Sequence, residues 1–252
     1  VIKPIIPVLA GASLLLFGCS DSNDNNNTSD TVALCSGTQI QPERLFLQQL
    51  TSESVIVKWR GNADGGADAT SVCFGADMAA LPARSKTDAT VTATGHSEAV
   101  LSGLEPDTTY YYSVGGAGAA DAVHHFRTAP ATGELPSDGN TRILIVGDSG
   151  VGGTGSPDAG FVRDGFTSYM KNNGDEPADL FLMLGDNAYN QGTDMEHQGA
   201  IFDVYTELLA TTSVWPTIGN HEMGSFGIST TTSPNDYAIL GDGVQGGPDP
   251  AP

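Results

Sequence analysis

The sequence predicts a multidomain chain, an all-β sandwich followed by an α/β domain, and three observations predict it. Residues 41–128 carry short alternating apolar runs separated by Gly, Pro and Asp, the period-two pattern of half-buried strands. Residues 129–140 hold Pro130, Gly133, Pro136 and Gly139 without apolar periodicity, which reads as a linker. From residue 141 continuous apolar runs alternate with helical patterns, the order of an α/β domain. A chain of 252 residues accommodates two domains of ordinary size, about 100 to 150 residues each.

Residues 1–18 read as a signal peptide: Lys3 precedes a mostly apolar run, 5–17, too short to span a bilayer. The run ends at Cys19 and turns abruptly polar at Ser20-Asp21-Ser22-Asn23-Asp24. This border resembles a bacterial lipoprotein cleavage site, which implies membrane attachment through a lipidated Cys19. An ordinary signal peptide with an incidental cysteine is the alternative. Either way the chain is expected to be exported, as a cell-envelope lipoprotein or a secreted protein. Residues 19–40 form a polar tether, since 20–31 contain only Asp, Asn, Ser and Thr and offer nothing to seed a core. With Cys19 lipidated, Cys35 and Cys73 remain as an even pair in an oxidising setting, where a structural disulfide is expected. A formal net charge of −20 argues against nucleic acid as a partner. An anionic substrate therefore requires local positive charge, which metal ions supply.

Within the sandwich, Leu45-Phe46-Leu47, Val55-Ile56-Val57-Lys58-Trp59 and Val91-Thr92-Ala93-Thr94 are strand segments. In Leu104-Glu105-Pro106-Asp107-Thr108-Thr109-Tyr110-Tyr111-Tyr112, Pro106 and Asp107 make a turn. Tyr110 and Tyr112 then share one face of the next strand, and Tyr111 takes the other. This segment and Trp59 resemble the fibronectin type III signature, which implies a fibronectin III-like sandwich whose corner tyrosine is buried and hydrogen-bonded to the backbone. His124-His125-Phe126 fits a last strand, and the two histidines are assigned no chemistry.

In the second domain, 143–146, 180–184 and 214–218 are apolar runs of the kind expected in strands buried on both faces. Helices are expected over 161–171 and 195–209, the latter with Ile201, Val204, Tyr205 and Leu208 on one face. Each apolar run is followed by glycine and polar groups: Gly147-Asp148-Ser149-Gly150, Gly185-Asp186-Asn187-Ala188-Tyr189 and Gly219-Asn220-His221-Glu222. In a parallel sheet such segments converge beyond the carboxyl ends of the strands. Asp148, Asp186, Tyr189 and Asn220 are oxygen donors suited to Fe(III), Mn(II) or Zn(II). A carboxylate between two cations can bridge them, and the cations lower the pKa of bound water. The glycine-rich stretch 150–156 lacks the Gly-Lys-Ser/Thr ending of a nucleotide loop.

Together these motifs resemble the calcineurin-like metallophosphoesterase superfamily. Tyr189, three residues after Asp186, resembles its purple acid phosphatase branch, as does the domain order. The resemblance implies a binuclear centre of Fe(III) with Zn(II), Mn(II) or Fe(II). Asp148 and Tyr189 would bind the ferric ion, Asp186 would bridge, and Asn220 would bind the divalent ion. His221 would be catalytic, positioning the phosphate or protonating the leaving oxygen, as imidazole can near neutral pH; Glu222 would have a supporting role. The implied activity is hydrolysis of phosphate monoesters by a metal-bound hydroxide. The pattern further requires an isolated His and a Gly-His-x-His, and no histidine follows His221. His96, His124, His125 and His197 do not match in order. The expectation is thus an incomplete, C-terminally truncated metallophosphoesterase domain, 141–252, inactive by itself. A phosphodiesterase or nucleotidase, and a non-catalytic tethered binding lipoprotein, are the alternatives.

Overall fold

The computed structural model describes residues 39–78, 85–91, 96–116, 124–150, 158–174 and 178–222. The expected leader, Cys19, the tether up to residue 38, Cys35, the segment 151–157 and everything after Glu222 lie outside the described residues. An all-β sandwich is followed by a smaller α/β region. The sandwich strands are β1 (Phe46–Gln48), β2 (Ser54–Trp59), β3 (Ser71–Gly75), β4 (Ser85–Asp88), β5 (Thr90–Val91), β6 (Ser97–Ser102), β7 (Thr109–Val114) and β8 (His125–Arg127). The α/β strands are β9 (Ile143–Val146), β10 (Leu180–Met183) and β11 (Ser213–Pro216). Helix α1 (Asp158–Asn172) joins β9 to β10, while α2 (Asp194–His197), a π-helical turn (Gln198–Phe202) and α3 (Thr206–Thr211) join β10 to β11.

One described sheet runs β4-β3-β7-β8, and the other β5-β6-β2-β1-β11-β10-β9. The sandwich core fills the space between them with Val55, Val57, Trp59, Leu101, Val72, Phe74, Tyr112 and Phe126. The Trp59 indole N–H donates to Asp68 Oδ1 at 2.8 Å, as a buried indole requires. Tyr110 and Tyr112 are buried while Tyr111 is half-buried, and the Tyr110 hydroxyl accepts the Glu105 N–H at 2.9 Å. The corner tyrosine thus behaves as its sequence context implies. Cys73 is buried and disulfide-bonded, and its partner cysteine lies outside the described residues.

The second sheet passes without interruption from sandwich to α/β region. β1 is antiparallel to β2 but parallel to β11, pairing Leu47 with Ser213, and β9, β10 and β11 are mutually parallel. Side-chain alternation lets β1 serve two cores. Leu45 and Leu47 enter the sandwich core. Phe46 enters the α/β core beside Phe181, Met183, Ile201, Phe202, Tyr205 and Val214. Further ties cross the same boundary: the buried Arg44 pairs with Asp194, Arg44 Nε donates to Gln198 Oε1 at 2.7 Å, and the Tyr112 hydroxyl donates to Ala210 O at 2.7 Å.

Two sequence expectations are corrected. Not all the apolar strands are buried on both faces: Leu144, Phe181, Met183 and Val214 pack under the helices, whereas Ile143 and Ile145 of β9 are 45% and 55% exposed. β10 alternates buried and half-buried residues, and β11 is buried apart from the half-buried Trp215. A two-sided apolar pattern records what a strand can bury, and among the described residues the second face of β9 stays open. The helix expected over 195–209 is broken. Asp203 N–H reaches back five residues to Gln198 O at 2.9 Å, a π-type bond, and α3 starts anew after Tyr205. This break coincides with the Arg44 grip on Asp194 and Gln198. It turns Leu209 into the core and leaves Val204 and Leu208 half-buried. α1 begins at Asp158, slightly before the expected start. Among the described residues, no helix is long and apolar enough to cross a membrane.

Candidate functional site

β9, β10 and β11 are parallel, so their carboxyl ends lie at one edge of the sheet, and each passes into a glycine-bearing loop. The loops are laced by backbone bonds. Asp148 N–H donates to Gly185 O at 3.1 Å, Gly150 N–H to Asp186 O at 3.0 Å and Tyr189 N–H to Gly150 O at 3.2 Å. Three glycines are required by close approach, Gly185 among them, where a Cβ would stand 2.8 Å from Gly219 Cα. A Cβ on Gly150 would stand 2.4 Å from Ala188 N, and one on Gly219 would stand 2.1 Å from Asp186 N.

Asp148 and Asp186 both adopt left-handed backbone angles, φ 53° and 52°. Aspartate tolerates that region better than most residues, though at some cost. The turn brings the carboxylates together. The Tyr189 hydroxyl donates to Asp148 Oδ1 at 3.0 Å and lies 3.4 Å from Asp186 Oδ2. The other Asp186 oxygen, Oδ1, accepts the His221 N–H at 2.8 Å. Four of the residues singled out from sequence, Asp148, Asp186, Tyr189 and His221, therefore form one connected group. The fifth, Asn220, stands between Gly219 and His221 with an exposed side chain.

The rings of His221 and Tyr189 meet edge to face with centroids 4.2 Å apart. His221 Nδ1 lies 2.8 Å from Asn190 O. A carbonyl only accepts, so Nδ1 carries the hydrogen and proton exchange falls to Nε2. Burial holds the Tyr189 phenol above its ordinary pKa, and the hydrogen bond to Asp148 and the charges of both aspartates act in the same direction. The phenol is thus protonated, and a cation placed against it reverses that preference.

Two residues that the sequence reading did not single out hold the loops. Asn187 is fully buried and donates through Nδ2 to Thr217 O at 2.8 Å. Glu196, at the third position of α2, accepts N–H groups of Asn190 at 2.6 Å, Gln191 at 3.1 Å and Thr193 at 2.8 Å. Only the last belongs to a capping box with Thr193, a pattern recognisable in Thr193-Asp194-Met195-Glu196. Burial alone would raise the Glu196 pKa, but the bonds from Thr193, Asn190 and Gln191 outweigh it and hold it below the ordinary value. A depressed folded-state pKa gives stabilisation that is present above the unfolded pKa, about 4.3 for a glutamate. That stabilisation is lost as pH falls through the folded value. Amide exchange of Asn190 and Gln191, corrected for intrinsic rates, should therefore lose protection below about pH 4, and Glu196→Gln should show the same loss at neutral pH.

Two carboxylates, a phenol and an amide are hard oxygen donors, and three of them converge, which fits part of the shell of an iron, zinc or manganese ion. Among the described residues there is no group of three or more His, Cys, Asp and Glu side chains placed to hold a metal.

A family profile described as purple acid phosphatase, N-terminal domain, matches residues 41–128. Purple acid phosphatase 15 of Arabidopsis thaliana is 34% identical over 91 residues, which span 35% of this chain and 15% of that protein. Among solved structures, one titled "Structure of PhoD" overlaps 75% of this chain and 41% of its own at 15% identity and a TM-score of 0.47. The fn3 domain of human contactin 1 overlaps 45% of this chain and 97% of its own at 18% identity and a TM-score of 0.28. The sandwich at residues 41–128 resembles the N-terminal domain of the purple acid phosphatases.

Proposed function

We propose that this chain belongs to a phosphoesterase that hydrolyses phosphate monoesters at a binuclear metal centre, Fe(III) with Zn(II), Mn(II) or Fe(II). The observation that carries the reading is the meeting of Tyr189 with Asp148 and Asp186 at the ends of two parallel strands. The likeness of the preceding sandwich to a phosphatase N-terminal domain supports it. Asp148, Asp186, Tyr189 and Asn220 would hold the ions. When bound, such ions neutralise phosphate charge and make a water nucleophilic near neutral pH. The chain's own residues do the rest. His221, its Nδ1 fixed on Asn190 O, would hold a proton at Nε2 against the leaving oxygen. Asp186, anchored by the His221 N–H, would keep its other oxygen toward Tyr189.

Asp186→Ala is expected to lower phosphomonoester hydrolysis by the metal-loaded complete protein about 100-fold or more, the scale of losing a central electrostatic group. The assay compares p-nitrophenyl phosphate with bis(p-nitrophenyl) phosphate. Full activity of the variant overturns the site, and preference for the diester replaces the monoesterase reading by a phosphodiesterase. Absence of both hydrolysis and metal favours a non-catalytic binding protein. The 252 residues alone, with no histidine after His221, are expected to bind metal weakly and turn over little.

The proposal includes export, with attachment to a membrane through Cys19 or release; a disulfide at Cys73 suits an oxidising compartment. It names a phosphate ester, not nucleic acid, as the partner, in keeping with the charge of −20.

A further inference from the structure

We propose that Glu222 is the positioning residue of this site, a buried carboxylate that locks the loop after β10 to the loop after β11. The inference rests on the phosphoesterase reading for its purpose and on geometry for its content. Glu222 is 3% exposed. Its Oε1 accepts the N–H groups of Asn187 at 2.6 Å and Ala188 at 3.0 Å, and its Oε2 those of Asp186 at 2.9 Å and Gly219 at 2.7 Å.

A carboxylate offers about four lone-pair directions and no donor, and these four N–H groups meet it as an acceptor on both oxygens. Three of the donors are consecutive, at residues 186–188. They form the concave run of backbone amides that binds an anion, and here the anion is supplied by the chain. The fourth donor belongs to the other loop, next to Asn220 and His221. The carboxylate therefore fixes the Asp186 backbone, and with it the side chain shared between Tyr189 and His221. A residue serving stability alone has no need to join the two loops that carry the donors. Glu222 joins them.

The predicted behaviour of two variants differs. Glu222→Gln keeps the shape but turns an amide NH2 toward backbone N–H groups, losing at least one oxygen's pair of bonds. Glu222→Asp keeps charge and both acceptors, drawn back by one carbon–carbon bond, roughly 1.5 Å, and is expected to restore part of the function.

The test uses the 252-residue chain, with amide exchange by NMR and terbium(III) alone as the probe of the oxygen donors. Terbium emission sensitised by Tyr189 is defined as the part lost in Tyr189→Phe. In Glu222→Gln, exchange at Asp186, Asn187, Ala188 and Gly219 should accelerate at least tenfold, while Val57 and Tyr112 keep their rates. Tyr189-dependent emission should require about 10- to 100-fold more terbium, the usual scale for a residue supporting metal ligands, and Glu222→Asp should recover part of both. Unchanged exchange at the four amides overturns the proposal, and so does equal acceleration at Val57 and Tyr112, which would make Glu222 a global stability residue. Absence of Tyr189-dependent emission from the unsubstituted chain counts against the metal reading instead, and exchange still decides the role of Glu222.

Discussion

Replacing Gly219 with alanine is expected to dismantle the site while leaving the sandwich folded. The new Cβ would stand 2.1 Å from Asp186 N and 2.2 Å from Asp186 Oδ1, and neither atom can swing away. The first is backbone and donates to Glu222; the second accepts the His221 N–H. Relief requires the two loops to part, which breaks the Gly219 to Glu222 bond as well. Overpacking of this kind costs about 1–3 kcal/mol and occasionally more. With about 2–4 °C per kcal/mol at this chain length, a loss near 3 kcal/mol lowers Tm by roughly 10 °C. Hydrolysis by the complete protein should fall below detection. Gly165, inside α1, has nothing within 4 Å of its Cβ position, so Gly165→Ala is the control. It should be neutral or stabilising by up to about 1 kcal/mol, since alanine favours helix. An unchanged Tm and undiminished activity in Gly219→Ala would show that the loops are not locked.

That lock was only half legible in the sequence. Three apolar runs, each passing into glycine and polar residues, placed Asp148, Asp186, Tyr189 and His221 in one region, and the structure brings those four into contact. The pattern could not give Glu222 or Glu196 their parts, because what they bind is backbone N–H. Side-chain identity carries no record of which main-chain groups a loop leaves unpaired. Asn187 was missed for the same reason, since its partner is a carbonyl, Thr217 O. Glu196 alone had a local signal, the capping spacing from Thr193, although the spacing says nothing of Asn190 and Gln191.

The division into sandwich and α/β region was legible because period-two alternation and strand-helix alternation are local. The joint between them was not. Leu45-Phe46-Leu47 reads as three apolar residues in a row, which is ambiguous between a short buried strand and part of a core helix. Only tertiary structure shows that alternate residues enter different cores. The break between α2 and α3 was invisible for a related reason: Arg44, about 150 residues earlier, grips the turn, and helical periodicity sees only neighbours.

Phe46→Ala is accordingly expected to loosen the joint. The ring is fully buried, packed against Phe202 at 5.8 Å and edge-on to His96 at 6.2 Å. Removing such a side chain costs about 3–5 kcal/mol, from lost transfer energy and an unfilled cavity. Beyond Phe46, β1 holds the α/β region through the Leu47–Ser213 pairing, and just past its end the Leu50 N–H donates to Ser213 Oγ at a longer 3.4 Å. Arg44 engages Asp194 on the other side. Each contact depends on β1 staying in register with β11, and the Phe46 ring is the apolar anchor of that register. The two tryptophans report the parts separately, since Trp59 lies in the sandwich core and Trp215 in β11. Urea unfolding of single-tryptophan variants should give coincident transitions in the parent. With Phe46→Ala the Trp215 midpoint should fall well below that of Trp59, because the α/β region loses its anchor while the sandwich core keeps Leu45 and Leu47. Leu47→Ala removes a side chain from the sandwich core alone, at about 2–5 kcal/mol, and should lower the Trp59 signal at least as much. Coincident midpoints in Phe46→Ala, with a loss under about 1 kcal/mol, would mean that hydrogen bonding and Arg44 hold the two parts together without the ring.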